Sequence, residues 1–353
     1  MTEELKGTCF AMCPEKERIS RERENLLNIL EVDEKTKNKK HKKADPSKTV
    51  KCYKRSSAGL TMNDPSELRP GPVLHFTVRY LLTRVIMRKD VNWTVIYEFI
   101  FDRLRAVRQD MVIQRLDVVT CIRILNPIVK FHIYAAERMR DKSLKEYVPK
   151  FNDQHLVECI KQLLVMYDNR DFELTEEYST DSDKLVEVPV DKNRIEIEAL
   201  YILLYLGNFT SITRGLSLPS KYRESSDIKK ALNISRAWYL KNYVRVCREI
   251  SQLSGLFLMA ALNNLQVIRR DTWAIMSAGY KSKNLTFPGE KLQSILLYKN
   301  MSKVAEDCNT FGIKLNGGNI HFDKIICNHG KVANPEKLIN DIELSDLLPD
   351  III

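Results

Sequence analysis

The segment from Ile96 to Asp110 constrains the fold more than any other stretch, because its residues sort onto two faces of one helix. Apolar residues recur there at steps of three and four, which predicts a stripe buried against other helices. They are Ile96, Phe99, Ile100, Leu104 and Val107. The other face carries Asp102, Arg103, Arg105, Arg108 and Asp110. We interpret these charges as a surface ion-pair network that orients neighbouring helices, with contact to a bound ligand as the open alternative.

The chain from Pro72 onward repeats this helical pattern. Asn92 and Asp117 are suited to cap the helices that follow them, and Pro127 should kink the later helix or divide it in two. Further helices are predicted at 195–206, 227–251 and 255–279. Stacked antiparallel helix pairs of this kind predict an all-α, solenoid-like body, although the sequence shows no clean internal repeat.

Two later segments break the helical pattern. Residues 168–191 hold nine acidic residues against two basic ones and predict an exposed acidic loop. Near the end, a helix opening at Pro288 and a helix from Ser302 to Thr310 precede a hairpin around Asn316–Asn319. This order predicts a winged-helix module with a small β-hairpin. The acidic and apolar tail 331–353 finishes the fold or binds a partner.

The predicted organisation therefore has five parts. They are an N-terminal segment 1–30, a basic flexible linker 31–55, a helical body 56–262 with the acidic loop 168–191, a module 263–330, and the tail 331–353.

Most of the net charge of +10 lies in one short segment. Residues 35–55 contain ten lysines and arginines against a single acid, Asp45. Such a tract is typical of a nuclear-import signal, of a contact with the phosphates of nucleic acid, or of a solvated linker, and the sequence leaves the three open. The candidate nucleic-acid-binding residues are Lys37, Lys39, Lys40, Lys42, Lys43, Lys51, Lys54 and Arg55.

The sequence offers no catalytic or metal-binding constellation. It contains no Walker loop, G-x-G-x-x-G, H-E-x-x-H or G-x-S-x-G motif, so we predict neither enzymatic activity nor a cofactor. Cys9 and Cys13 have a C-x3-C spacing that is unusual for zinc, and we expect packing there rather than a metal. The eight scattered cysteines indicate a reducing compartment, and no apolar run of about 18 residues predicts a membrane span.

Several separated blocks occur in an order that resembles the Sac-three/GANP family, named for the germinal-centre-associated nuclear protein. The blocks are Gly7–Cys9, Met12–Arg18, Val50–Lys51, Tyr53, Arg55–Ala58, Glu67–Pro70 and Asp102–Asp110. The resemblance extends from about Gly7 to beyond Phe311. It marks as family-motif or structural residues Cys9, Cys13, Pro14, Glu15, Arg18, Arg55, Ser56, Arg69, Asp102, Arg103, Arg105, Arg108 and Asp110.

The resemblance implies both a fold and a function. It implies a PCI-like helical body followed by a winged helix, in a scaffold that pairs with a PCI-domain protein and a small acidic subunit. Such scaffolds contribute to a surface for RNA or single-stranded nucleic acid in messenger-RNA export complexes of the TREX-2 type, in the nucleus or at its periphery. Short members, the Sac-three-domain-containing protein one group, imply an alternative role with centrosomal proteins in centrosome duplication and mitosis. We expect the alternative to gain weight because the sequence consists essentially of the family domain alone.

Overall fold

A computed structural model describes residues 5–55, 64–179, 190–325, 333 and 335–352 of the chain. Helices dominate the described residues, which confirms the all-α class. By contact density the chain divides into two compact units. Unit 1 comprises 1–135, 144–186 and 345–353, and unit 2 comprises 136–143 and 187–344. The segment 187–262, predicted to belong to the helical body, thus shares unit 2 with the predicted module 263–330.

The helices of the first half follow the predicted order. They are α1 (Glu15–Arg23), α2 (Gly71–Tyr80, extended by a π turn over Leu81–Val85), α3 (Trp93–Ile113), α4 (Val118–Arg138) and α5 (Pro149–Ser179). Asn92 caps α3 by accepting a hydrogen bond from the backbone N–H of Thr94, as predicted. Pro127 lies inside α4 without dividing it.

One described helix, α4, is long and apolar enough to cross a membrane. However, 72% of its most apolar 18-residue window is buried inside the protein. Ile124, Leu125, Ile128 and Val129 are all fully buried. Most of the apolar surface of α4 is therefore buried by packing within the protein, as in the core helix of a globular domain.

The acidic segment 168–191 differs from its prediction. Helix α5 continues to Ser179, so the first half of the predicted loop is helical. Residues 180–189 lie outside the described residues. The helical part of this segment contains neither Pro nor Gly. Its charged residues have adequate helix propensity, so the high charge alone does not end α5.

In the second half, the predicted helix 195–206 is present, and each of the two longer predicted helices is divided into two. The helices of this half are α6 (Lys192–Leu204), α7 (Phe209–Ser217), α8 (Ser220–Arg223), α9 (Ser226–Tyr239), α10 (Tyr243–Ile250), α11 (Gly255–Leu262) and α12 (Leu265–Gly279). The predicted helix 227–251 breaks after Tyr239, where Lys241 has a positive φ of 58°. The predicted helix 255–279 breaks between Leu262 and Leu265.

A small sheet follows α12 in unit 2. The order is β1 (Phe287–Pro288), α13 (Gly289–Ile295), α14 (Met301–Phe311), β2 (Lys314–Asn316) and β3 (Asn319–His321). Strands β2 and β3 form the predicted hairpin around Gly317 and Gly318, whose φ values of 54° and 78° suit a tight two-residue turn. Strand β1 pairs antiparallel with β3 and was not predicted. The last helix, α15 (Asp341–Ile352), occupies most of the predicted tail.

Candidate functional site

Helix α3 carries charged residues that pair with charged residues from other segments of unit 1. Its predicted apolar stripe is buried as expected, with Ile96, Ile100 and Val107 fully inaccessible. The opposite face was predicted to lie on the surface, and this is wrong for its central charges. Arg103 is 6% exposed and Asp110 is 0% exposed. These charges are covered by segments that precede the helix in sequence.

Asp110 is the centre of the first buried ionic group, which we call the Asp110 cluster (Asp110, Lys51 and Arg69). One carboxylate oxygen accepts a hydrogen bond from Lys51 Nζ at 2.7 Å, and the other accepts one from Arg69 Nε at 2.7 Å. Two further contacts reach backbone oxygens: Lys51 Nζ donates to Glu67 O at 2.7 Å, and Arg69 Nη1 donates to Met12 O at 3.2 Å. The cluster thus fixes residues 12, 51 and 67–69 against α3.

Glu31 is the centre of a second group, the Glu31 cluster (Glu31, Arg21 and Arg103). Glu31 Oε2 accepts from Arg21 Nη1 at 2.8 Å and from Arg103 Nη2 at 3.2 Å. Its Oε1 accepts from the backbone N–H of Val50 at 3.0 Å. The carboxylate is fully buried. Removal of one partner from such a group leaves a charge in a poorly solvated site, which is strongly destabilising.

Two cysteines of the family blocks lie beside these clusters. Arg21 Nη2 approaches Cys13 Sγ at 3.2 Å, and burial raises the pKa of the Cys13 thiol to about 12. Burial also raises the pKa of Cys9. Both thiols are therefore held protonated at neutral pH, which disfavours nucleophilic chemistry. Among the described residues no three His, Cys, Asp or Glu side chains are grouped as metal ligands.

Hydrogen bonds of the Gln114 side chain hold the N-terminal segment against the C-terminal end of α3. The backbone N–H of Gly7 donates to Gln114 Oε1 at 2.8 Å, and Gln114 Nε2 donates to Arg69 O at 2.8 Å. A Cβ at position 7 would lie 2.3 Å from Leu68 O, so the close approach of these backbones requires glycine.

The remaining residues of the family blocks lie outside the Asp110 and Glu31 clusters. Pro14 is buried and immediately precedes α1. Within that helix, Arg18 pairs with Glu15 at 3.3 Å and with Glu22 at 3.6 Å. Asp102 accepts from the backbone N–H of Tyr53 at 3.2 Å as well as pairing with Arg103. Ser56 lies outside the described residues.

Arg105 and Arg108 are half-buried and make different contacts. The Arg105 guanidinium lies over the ring of Tyr53, 3.7 Å from its centroid. Arg108 Nη1 is 3.1 Å from His155 Nδ1, and Nη2 donates to Glu158 at 3.3 Å. Burial and the adjacent Arg108 hold the pKa of His155 below its usual range, so its ring is neutral and accepts from Arg108.

The basic segment 31–55 was predicted to be a flexible linker, and the structure shows it folded into unit 1. Val32 and Ala44 form an antiparallel bridge, and the N–H of Asp33 donates to Lys43 O at 2.9 Å. Thr36 Oγ1 accepts from the N–H of Lys43 at 3.0 Å. We call residues 33–44, closed by these contacts, the basic loop. Apolar residues at its base, among them Leu30 and Val50, account for the folding.

The candidate nucleic-acid residues separate into three groups. Lys39, Lys40, Lys42 and Lys43 are exposed on the basic loop, where the half-buried Lys37 pairs with Glu34 at 3.8 Å. Lys54 and Arg55 are exposed beyond the loop, and Lys54 lies 3.6 Å from Glu17 and 3.4 Å from Glu67. Lys51 is buried in the Asp110 cluster, so it cannot reach a phosphate and its assignment to a nucleic-acid surface is wrong.

Sequence reasoning missed Arg21 and Glu31 as members of the Glu31 cluster, and it missed the contact of Gln114 with Gly7. Their partners lie far away in sequence: Glu31 and Arg103 are 72 residues apart, and Gly7 and Gln114 are 107 apart. The one available signal was the position of Glu31 between the apolar residues Leu30 and Val32. A single acid in an apolar setting indicates a paired, buried carboxylate.

Comparisons with known proteins cover most of the residues that form this site. The family model described as "SAC3/GANP family" matches residues 12–317. Protein xmas of Drosophila melanogaster is 25% identical over 325 residues, which cover 88% of this chain and 15% of that protein. SAC3 family protein 1 of Schizosaccharomyces pombe is 25% identical over 335 residues, covering 89% and 30%. SAC3 family protein B of Arabidopsis thaliana is 28% identical over 271 residues, covering 74% and 15%. The chain thus spans at most 30% of the length of these relatives.

Proposed function

Because this chain belongs to the SAC3/GANP family, we propose that it is a non-catalytic helical scaffold of the messenger-RNA export type, acting in the nucleus or at its periphery. In this proposal it pairs with a PCI-domain protein and a small acidic subunit and contributes to a nucleic-acid-binding surface. The observation that carries the proposal is the family match over 12–317, together with the folded, exposed basic loop.

A PCI-like body with a terminal winged helix is the architecture that we propose for this scaffold. The element order α12–β1–α13–α14–β2–β3 supports the winged helix, since it places two helices between a short strand and a hairpin. On α14, Asp307 is buried and accepts a hydrogen bond from Tyr298 Oη at 2.6 Å, while Lys303 pairs with Glu306. A helix with this charge distribution is poorly suited to reading a DNA groove, so we assign the module to docking of a protein or to weak phosphate contact.

The basic loop supplies the proposed phosphate contacts of unit 1. Four exposed lysines lie within five positions of the loop, and the bridge between Val32 and Ala44 joins the two ends of its backbone. A preordered array of cations loses less conformational entropy on binding than a flexible tract, and it attracts phosphates without reading base sequence.

The test reverses the charge of Lys39, Lys40, Lys42 and Lys43 together and measures single-stranded RNA binding as a function of salt. We expect weaker binding and a flatter plot of log K against log salt concentration, by about 0.7 for each phosphate that the loop no longer neutralises. The matched control reverses four exposed lysines elsewhere, Lys145, Lys150, Lys161 and Lys230. An unchanged slope in the loop variant, or an equal change in the control, would contradict the assignment of RNA contacts to the loop.

A further inference from the structure

Arg105 differs from Arg103, Arg108 and Asp110 of α3 in its contacts. Arg103 pairs with Glu31, Arg108 with Glu158, and Asp110 with Lys51. Within the described part of the chain, Arg105 instead makes ring contacts, with Tyr53 at 3.7 Å and with Phe101 at 5.9 Å. Its Nε is buried and has no hydrogen-bond partner there. Among the described residues no carboxylate pairs with the Arg105 guanidinium, so its positive charge is left to attract an anion.

The surroundings hold Arg105 in place. Tyr53 stacks under the guanidinium, and Tyr53 is itself fixed through its backbone N–H, which donates to Asp102 at 3.2 Å. The next residue, Lys54, is held by its carbonyl oxygen, which accepts from Gln109 Nε2 at 2.8 Å. The ring of Tyr53 and the segment that carries it are thus anchored to α3 about one turn on either side of Arg105. A stacked, immobilised guanidinium is preorganised for bidentate binding of an oxoanion.

A second guanidinium lies on the same helical face. Residues three apart on a helix have Cβ atoms about 5–6 Å from each other, so Arg108 is a neighbour of Arg105. His155 and Glu158 hold its Nη atoms, and its Nε is likewise buried without a partner among the described residues. We name the Arg105 site from Tyr53, Phe101, Arg105, Arg108 and His155.

We propose that the Arg105 site binds the phosphate group of a phosphorylated serine or threonine in a partner protein. A phosphomonoester carries a charge of about −1.5 to −2 and three acceptor oxygens, enough for a bidentate contact with the Arg105 guanidinium, and the adjacent positive charge of Arg108 adds to the attraction. The proposal goes beyond the RNA contact assigned to the basic loop and does not depend on it.

The charges around the site favour a single phosphate over a nucleic-acid backbone. Asp102 lies one turn before Arg105 with its side chain 34% exposed, and Glu158 lies against Arg108 with its side chain 43% exposed. A phosphodiester chain would bring further negative charges past these two carboxylates, which repel them. A protein segment with one phosphate brings no further phosphates past the carboxylates, and it can place cationic residues beside Asp102 and Glu158.

The test compares binding of the folded protein to two degenerate peptide libraries, one with a central phosphoserine and one with serine. We expect retention of the phosphoserine library and a loss of at least about tenfold in the Arg105→Gln variant, from removal of a charge-assisted bidentate contact. Arg105→Lys should lose binding as well, because lysine keeps the charge but not the fork. Arg123→Gln, at an exposed arginine of α4, is the matched control and should bind as the unmodified chain does.

A second measurement uses the unmodified protein, so that a folding defect in a variant cannot decide the result. The ¹H–¹⁵N resonance of Arg105 Nε should shift when a retained phosphoserine peptide is added, and not when its serine counterpart is added. Equal binding of both libraries, equal effects of Arg105→Gln and Arg123→Gln, or an unmoved Arg105 resonance would overturn the proposal. So would displacement of the Arg105 resonance by 5′-phosphorylated RNA but not by phosphopeptide.

Discussion

At the scale of single residues, the central feature of unit 1 is a pair of buried carboxylates, each shared by two cations. From the spacing of residues on α3, we predicted that Arg103 and Asp110 belong to an ion-pair network, but we placed that network on the surface. Periodicity sorts residues onto helix faces, but it cannot show that a distant segment covers the polar face. Arg69 and Lys51 reach Asp110 across 41 and 59 residues, which no spacing rule within a helix can reveal.

Asp110 gives the sharpest test at this scale. In Asp110→Ala both Lys51 and Arg69 remain buried without their shared carboxylate. We expect the free energy of unfolding to fall by about 3–5 kcal/mol, the usual cost of stranding buried charge, measured by denaturant titration.

The control for Asp110 is Asp90→Ala, which breaks the exposed pair with Arg88. An ion pair of this kind contributes at most about 1 kcal/mol, so the control should change stability little. Similar losses in the two variants would show that the Asp110 cluster is no more important than a surface pair.

At the scale of elements, the sequence predicted those features that depend on local chemistry. Asn92 caps α3, and the two glycines produce the β2–β3 turn. The breaks after Tyr239 and Leu262 were missed because apolar periodicity continues across them and neither contains proline. Strand β1 is only two residues long, Phe287–Pro288, so it has no alternation that a pattern could detect.

The basic loop shows how tertiary contacts override composition. Its lysine content is typical of a flexible tract, yet Thr36, 8% exposed, joins its two arms by donating to Asp33 O and accepting from Lys43 N. An import receptor that reads an extended basic segment would have to open these contacts first. This cost favours the phosphate-binding interpretation over the import signal.

Closure of the loop predicts resistance to trypsin at Lys39, Lys40, Lys42 and Lys43. Thr36→Val keeps the shape of the side chain but removes both hydrogen bonds, so cleavage at these lysines should accelerate several-fold, since cleavage follows the population of the locally open form. Mass spectrometry of the early fragments identifies the sites.

Thr83→Val is the matched control, because it removes a hydrogen bond of the same kind, from Thr83 Oγ1 to Arg79 O, away from the loop. Cleavage of the loop should be unaffected there. If the unmodified loop were cut as fast as an unfolded peptide, or if Thr36→Val and Thr83→Val behaved alike, the closed loop would not describe the protein in solution.

At the scale of the whole molecule, the family blocks predicted more than periodicity could. Periodicity gave the all-α class and the order of the helices in unit 1, but the partners of this chain cannot be read from its own packing. The chain spans at most 30% of the length of the relatives that it matches. The partner proposal therefore needs a direct test on the intact protein in cells.

That test is purification of the tagged endogenous protein in moderately high salt, followed by mass spectrometry of what stays bound. At about 0.5 M salt the Debye length falls to a few ångströms, so contacts between exposed charges are screened, whereas a large apolar interface persists. The export-type proposal predicts recovery of a PCI-domain protein in stoichiometric amount together with a small acidic subunit. The charge-reversed basic loop should leave both bound while weakening RNA binding, because it removes phosphate contacts and not the protein interface. Recovery of centrosomal or spindle proteins in their place would contradict the export proposal and assign the same fold to cell division.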